Sequence, residues 1–296
     1  MKSKELKYNM MLLLTAAIWG FAFIAQRVGG KFLGPFTYNG LRFALGSLSL
    51  LPVMHFSKKL FKNNEETRES TESAVLPGAI AGAVVFAAAS LQQIGLSSTT
   101  AGKAAFITGL YLVIVPLMGI FLRQYIGLNS WVGCAAALSG LYFLSVTKGF
   151  SVSPGDFYEF IGAFFWAAHI LIINHYSRKV DVLKLSFYQF AVCAFLSLAA
   201  AAVFENITLS AVTAAAVPVL YGGICSVGVA YTLQAVGQKY AQPAHASILL
   251  SMESVFAAVG DFLILHQTLN IREISGCALM LAGMLLTQLP VFKLKT

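Results

Sequence analysis

Charged side chains are scarce in this chain of 296 residues. Aspartate, glutamate, lysine and arginine make up 11% of the sequence, whereas 58% of the residues are apolar and the mean hydropathy is +0.76. A soluble globular domain carries about 25% charged residues. So few charges cannot cover a water-facing surface, which excludes a soluble enzyme, a secreted disulfide scaffold and a disordered chain. The composition indicates a polytopic membrane protein.

Several chemical motifs are also missing. The sequence has no G-x-x-x-x-G-K-[ST] phosphate loop, and its four cysteines form no C-x-x-C pair and have no histidine at metal-ligand spacing. We therefore expect no cofactor and no metal. The net charge of +8 is interpreted below as a topology pattern and not as a nucleic-acid footprint, so no nucleic-acid partner is expected.

Long apolar windows account for most of the chain. A helix that crosses about 30 Å of hydrocarbon needs about 20 apolar residues. Ten such windows are present, centred near Trp19, Leu45, Val84, Leu112, Leu138, Phe165, Ala194, Gly223, Ser254 and Leu281. No window alternates polar and apolar residues with period two, which excludes an outer-membrane barrel. The sequence predicts an all-α membrane protein with ten transmembrane helices, and only the polar stretch 57–73 is a long connector.

Lysine and arginine predict the orientation, because cytoplasmic connectors accumulate them. With the N-terminus inside, the inner segments hold fourteen of these residues and the outer segments hold five. Both termini are therefore predicted to be cytoplasmic. The protein is expected in the plasma membrane, which in a Gram-negative host is the inner membrane.

The two halves of the chain resemble each other. Offsets of 147, 142 and 143 residues align, in that order, Trp19 with Trp166 and Arg42 with Gln189, Gln92 with Gln234, and Gly133 with Gly276. The change from 147 to 142 falls where the connector of the second half is five residues shorter. The sequence predicts repeats at residues 1–147 and 148–296 with five spans each. Because five is odd, the second repeat enters the membrane from the opposite side.

Inverted repeats are typical of secondary transporters, in which the substrate site lies near the midplane between the two copies. The alternative is a duplicated structural bundle that transports nothing. Alternating access exploits this symmetry directly, and the repeat therefore favours a transporter.

The aligned segments contain a recognisable pattern. Its parts are Ala17-Ile18-Trp19-Gly20, Gly34-Pro35, Leu41-Arg42-Phe43, Met252-Glu253-Ser254-Val255-Phe256 and the glycine-rich stretch 274–283. With these motifs the chain resembles the EamA family of the drug/metabolite transporter superfamily. The resemblance implies a ten-helix transporter, with exporters of amino acids and other small metabolites among its relatives. It also implies a central cavity lined by helices 1, 3, 4, 6, 8 and 9.

Two departures from the family pattern stand out. This chain has Gln124 and Gln267 where the family often carries glutamate after the fourth and ninth spans. It also has Ser254 where proline is common, which we expect to remove a kink from the ninth helix.

Glu253 and Arg42 are the charged candidates for a substrate site. A charged carboxylate near the bilayer midplane costs about 2.5–3.5 kcal/mol, so Glu253 must find a donor or a proton. It either binds a substrate ammonium, takes up a proton, or bonds to a neighbouring helix. Arg42 lies about 10 Å from the outer face. Its guanidinium either braces neighbouring helices, which is the favoured interpretation, or binds a substrate carboxylate.

The uncharged candidates are polar or aromatic groups near the middle of spans. Trp19 and Trp166 suit an aromatic, apolar or cationic solute, and Tyr111 is the repeat equivalent of Glu253. His169 is either a proton relay or an interhelical donor. Gln92 and Gln234 offer neutral donors and acceptors to a polar ligand. Packing is the alternative for the aromatic residues, and a bond that joins helices is the alternative for the two glutamines. For Lys103 and His245 interfacial placement is favoured over a gate.

The sequence as a whole favours a secondary transporter of a small organic metabolite, foremost an exporter of amino acids or related compounds. A multidrug, nucleoside or vitamin permease is the alternative. An intramembrane enzyme is less favoured, since no two acidic residues are expected close together within one span. The small-residue fifth and tenth spans are interpreted as scaffold or as a homodimer contact.

Overall fold

The described residues of the computed structural model are 3–60, 73–99, 101–124, 126–146, 153–265 and 270–288, and they are helical almost throughout, with no strand among them. The predicted polar stretch 57–73 lies mostly outside this described part. The helices are α1 (Ser3–Gly29), α2 (Pro35–Leu60), α3 (Val75–Gly95), α4 (Ala101–Gly109), α5 (Tyr111–Phe121), α6 (Leu128–Ser145), α7 (Pro154–Tyr176), α8 (Val182–Phe204), α9 (Leu209–Ala214), α10 (Ala216–Leu220), the π-helix Tyr221–Tyr231, α11 (Thr232–Gln238), α12 (Pro243–Ser251), α13 (Glu253–Leu265) and α14 (Ile271–Gln288).

Within the described residues, six helical segments are long and apolar enough to cross a membrane. They are Glu5–Gly29, Val75–Gly95, Ala104–Phe121, Pro154–Tyr176, Val182–Phe204 and Ala216–Gln238. Large apolar side chains also cover the outside of the bundle, where Leu48, Phe157 and Phe195 are each more than half exposed. Contiguous apolar surface of this kind is stable in lipid and not in water. The chain is therefore a multi-pass, all-helical membrane protein.

The start of α1 and the end of α14 lie at one end of the bundle. The imidazole of His245, at the start of α12, bonds to Asn9 of α1 through Nε2 (3.1 Å) and to Thr287 of α14 through Nδ1 (2.9 Å). We call this end the terminal face and the opposite end, where α1 ends and α2 begins, the distal face. His245 thus ties three helices together at the terminal face, and the side chain of Lys103, its repeat equivalent, lies outside the described residues.

Two helical rods are interrupted at matched positions. Between α4 and α5 the chain turns at Leu110, and between α12 and α13 it turns at Met252, 142 residues later. Ser254, which we expected to remove a kink from the ninth helix, lies two residues after the interruption at Met252. The hydroxyls of Ser247 and Ser251 donate to the carbonyls of Ala244 and Ile248, a pattern that bends helices without proline.

Glycines bring α6 and α14 into backbone contact. A Cβ added to Gly140 would stand 2.5 Å from the carbonyl oxygen of Gly276, and one added to Gly276 would stand 2.6 Å from that of Gly140. Gly133 and Gly283 face each other in the same way, at 2.7 and 2.6 Å. Small residues allow such close approach, so this helix pair is a scaffold within one chain.

Replacing Gly276 with alanine is expected to destabilise the fold by about 1–3 kcal/mol, because the new methyl group meets backbone that cannot move aside cheaply. Thermal unfolding of the purified protein in detergent measures this loss. Gly162→Ala is the matched control, since a Cβ there meets nothing closer than 3.6 Å. Equal melting temperatures for the two variants would contradict the close contact.

Candidate functional site

A cavity lies in the middle of the bundle. Its walls come from α1, α2, α3, α4, α5, α7, the π-helix, α11, α12 and α13. All eight residues predicted as site candidates line it: Trp19, Arg42, Gln92, Tyr111, Trp166, His169, Gln234 and Glu253. The family resemblance implied most of these walls, but Arg42 adds α2, the second long helix, to the set.

Tyr111 and Glu253 meet where the two interrupted rods face each other. Tyr111 is the first residue of α5 and Glu253 the first of α13, and the Tyr111 hydroxyl donates to Glu253 Oε1 over 3.0 Å. The two side chains are 4% and 6% exposed. Residues aligned by the repeat offset of 142 therefore touch each other in the structure. Broken helices at matched positions of two repeats are a feature of transporter binding sites.

Arg42 is buried in the cavity wall and does not face lipid. It is 2% exposed, and Gly222 of the π-helix lies beside its side chain, since a Cβ there would stand 3.4 Å from Arg42 Cδ. Its Nε donates to Asn39 Oδ1 over 3.0 Å, one turn earlier on the same helix, so this hydrogen bond joins no second helix. Its Cζ lies 4.9 Å from the Phe43 ring centroid, which adds a cation–π contact.

Within the described part of the chain, no ion pair involves Arg42 or Glu253. Buried charges in proteins are normally paired with a charge of opposite sign. A cation and a carboxyl that line one cavity without such partners are available to a ligand that carries both charges.

A chain of hydrogen bonds fixes the polar wall. Trp166 Nε1 donates to Gln92 Oε1 (2.9 Å), and Gln92 Nε2 donates to Gln26 Oε1 (3.1 Å). The chain links α7, α3 and α1 and sets the orientation of the Gln92 amide. By contrast, Oε1 of Gln234 has no hydrogen-bond partner among the described residues, although the side chain is 1% exposed.

Tyr231 stands at the centre of the aromatic wall. Its ring centroid lies 4.6 Å from that of Trp19, 6.3 Å from that of Trp166 and 5.9 Å from that of His169. Trp19 is held in turn by a hydrogen bond from Nε1 to the Ser226 carbonyl (3.3 Å). Tyr231 ends the π-helix of 11 residues, and such helices are frequent at functional sites.

His169 contacts a neighbouring helix through one of its ring nitrogens. It is fully buried, and Nε2 lies 2.9 Å from Oε1 of Gln189, while Nδ1 has no partner among the described residues. Gln189 is the repeat equivalent of Arg42. The contact joins α7 to α8, which is the interhelical role that the sequence offered as the alternative to a proton relay.

Side-chain contacts join several helices at the terminal face. Tyr8 of α1 stacks on Tyr240 with ring centroids 3.9 Å apart. Asn174 of α7 donates to the carbonyls of Gln238 and Ala241 over 2.9 and 2.8 Å. These contacts hold α1 and α7 against the connector that precedes α12.

Sequence reasoning missed several residues of this region. Gln26, Thr108 and Tyr231 line the cavity, but they lie in apolar windows without repeat partners of matching type. The expectation that no two acidic residues lie close within one span was wrong, because Asp156 and Glu159 are buried one turn apart on α7. Both belong to the N-terminal turns of the helix, which an apolar window underestimates. Among the described residues, no group of three metal-binding side chains is present.

Comparisons with known proteins agree with this architecture. The chain is 30% identical to an uncharacterized transporter of Archaeoglobus fulgidus over 97% of this chain and 88% of the relative. It is 20% identical to the uncharacterized transporter YoaV of Bacillus subtilis over 94% of this chain and 95% of that one. A solved crystal structure with 17% identity superposes with a TM-score of 0.81 and covers 98% of both chains. The model of the EamA-like transporter family matches twice, at residues 6–146 and 153–289. The chain therefore belongs to the EamA-like transporter family, and it is a membrane transporter and not an enzyme.

Proposed function

We propose that this transporter moves a small zwitterionic metabolite, an amino acid or a close relative, and exports it by alternating access. In this proposal ten transmembrane helices form two inverted repeats, residues 1–147 and 148–296. The protein lies in the plasma membrane with both termini in the cytoplasm, so the terminal face is cytoplasmic and the distal face is outside.

The observation that carries the proposal is the pair of unpaired charges in one cavity. Arg42 offers a guanidinium whose planar fork suits a carboxylate, and Glu253 offers an oxygen acceptor that suits an ammonium group. A zwitterion satisfies both groups at once, whereas a purely cationic drug or a neutral nucleoside leaves Arg42 without a partner. Buried polar groups left unpaired by the wrong ligand are the main source of selectivity at such sites.

The aromatic wall supports an apolar or aromatic side chain on the substrate. Trp19, Trp166 and Tyr231 present flat rings to the space between the charged groups. Aromatic rings contribute about 0.5–1.5 kcal/mol per contact beyond the area that they bury. The cavity therefore favours solutes such as phenylalanine over small polar amino acids.

Alternating access is supported by the helix contacts at the terminal face and by the interrupted rods. In this proposal the contacts of Tyr8 and Asn174 are released before a solute enters from the terminal side. The interrupted rods at Leu110 and Met252 supply matched points at which the two repeats change shape.

The test is transport by the purified protein in liposomes loaded with a mixture of the twenty amino acids, read by mass spectrometry with and without a pH gradient. We expect selective efflux of amino acids with large apolar side chains. If no amino acid moves while drugs or nucleosides do, the zwitterion proposal is wrong and the multidrug or permease alternative replaces it.

A further inference from the structure

Glu159 is a buried carboxyl group beside the cavity, on the distal half of α7. It is 0% exposed, and the Thr108 hydroxyl of α4 donates to its Oε2 over 2.7 Å. Its other oxygen, Oε1, has no hydrogen-bond partner among the described residues and lies against α3, where a Cβ on Gly95 would stand 2.7 Å away. A carboxylate desolvated in this way is costly unless it binds a proton.

The inverted repeat shows that packing does not require this carboxyl. The offset of 147 aligns Glu159 with Leu12, and the offset of 142 aligns Gly95 with Gly237. At the terminal face Leu12 fills the corresponding place, since a Cβ on Gly237 would stand 2.8 Å from Leu12 Cγ. A leucine therefore satisfies the same helix crossing at one face, and the other face holds an ionisable group instead.

Polar groups connect Glu159 to the distal face and to the cavity. One turn outward, the Asp156 carboxylate accepts hydrogen bonds from the Thr99 hydroxyl (2.5 Å) and from the Ser153 backbone N–H (2.7 Å). Inward, Thr108 both bonds to Glu159 and lines the cavity. Polar groups therefore stand on both sides of the buried Glu159 carboxyl, Asp156 toward the distal face and Thr108 toward the cavity.

The ionisable surroundings of Glu159 are few. On its own helix the charged neighbour is Asp156, and the facing residues of α3 and α4, Gly95 and Thr108, are uncharged. Lys103 also belongs to α4, and its side chain lies outside the described residues. Repulsion between two buried carboxylates is relieved when one of them takes a proton.

We propose that Glu159 is a proton-binding site that links the distal face to the cavity and makes transport proton-coupled. A proton from the distal solution adds to the Glu159 carboxylate and neutralises it. On release, the Thr108 hydroxyl turns its proton from Glu159 Oε2 toward the cavity and passes it to a water molecule there, while the Thr108 oxygen accepts the proton of the Glu159 carboxyl, so one proton enters and one leaves. The coupling rests on the proposed function, whereas the proton site does not depend on the identity of the solute.

Infrared difference spectroscopy of the reconstituted protein at low and high pH tests the proton site, with the proton itself as the probe. Protonated carboxylic acids give a carbonyl band, and we expect one component to vanish in Glu159→Gln and to shift in Thr108→Val, where the hydrogen bond to Oε2 is lost. Glu273→Gln, at the exposed start of α14, is the control and should retain that component. A difference spectrum that is the same in wild type, Glu159→Gln and Thr108→Val overturns the proposal.

Accumulation of an amino-acid mixture in liposomes tests the coupling. With one proton per solute, a pH gradient of one unit supports about a tenfold concentration gradient. We expect Glu159→Gln to lose this tenfold accumulation and to retain exchange of solute for solute, which needs no net proton movement. Glu159→Leu, which copies Leu12, provides a second variant with a natural packing precedent. Proton-driven accumulation that persists in both variants overturns the coupling, whereas failure of every amino acid to move overturns only the substrate class, and the infrared band still decides the proton site.

Discussion

Glu253→Gln is expected to raise the half-saturating concentration of phenylalanine transport by about 10- to 100-fold, because hydrogen bonds to charged groups contribute about 1.5–3 kcal/mol. Glutamine keeps an oxygen that accepts the Tyr111 hydroxyl, so the substitution removes the charge and preserves the contact. Initial rates of uptake into liposomes over a range of phenylalanine concentrations measure the change. 3-Phenylpropanoate, which lacks the ammonium group, should compete equally well in wild type and variant.

Thermal stability distinguishes a substrate-binding role of Glu253 from a structural one. A carboxylate near the bilayer midplane costs about 2.5–3.5 kcal/mol, so its replacement by an amide should leave the thermal stability unchanged or raise it. Tyr111→Phe is the matched variant that retains the carboxyl and removes one neutral donor, and we expect a loss of only about fivefold, since such a bond contributes about 1 kcal/mol. A less stable Glu253→Gln protein with normal phenylalanine transport would identify Glu253 as a structural residue.

The sequence predicted the residues that line the cavity better than it predicted where the helices break. Charged and aromatic groups in apolar windows are expensive or unusual, so Arg42, Glu253, Trp19 and Trp166 stood out without a structure. The structure places all of them around one cavity.

The helix breaks were harder to predict. Proline is the strongest local cause of a kink, and Ser254 in its usual place suggested a straight helix. The interruption at Met252 instead follows two serines whose hydroxyls bond to backbone carbonyls of the preceding turn, and serines in apolar helices are too common to identify such breaks. The π-helix was equally hard to predict, since Tyr221–Tyr231 has an ordinary apolar composition.

The sequence did not identify Glu159 as a candidate, for a different reason. A window of about 20 residues averages the acidic first turns of α7 with the long apolar remainder. Its importance appears only when the helix crossing is compared with that of Leu12, which needs the three-dimensional pairing of both repeats. A comparison of repeats by side-chain polarity, and not by identity, would have found it.

Arg42→Lys is expected to weaken phenylalanine transport by about 10- to 100-fold although the positive charge is kept. Lysine presents a point charge on a flexible stem and lacks the two parallel donors that bind a carboxylate. It also loses the Nε–Asn39 bond that fixes the side chain of Arg42 in the wall. Concentration-dependent uptake measures the loss, and Arg178→Lys, at the terminal face outside the cavity, is the control that should transport normally.

The decisive comparison pairs this variant with phenethylamine, which is phenylalanine without its carboxylate. Wild type should prefer phenylalanine by about 10- to 100-fold, and Arg42→Lys should lose most of that preference, because removal of either partner already abolishes the same interaction. Competition of each compound against labelled phenylalanine gives both ratios. If Arg42→Lys weakens both compounds equally, the guanidinium shapes the cavity through Asn39 and does not bind the carboxylate. A preference for phenylalanine that survives the substitution would therefore remove the carboxylate contact from the proposal and leave the ammonium contact at Glu253 to stand alone.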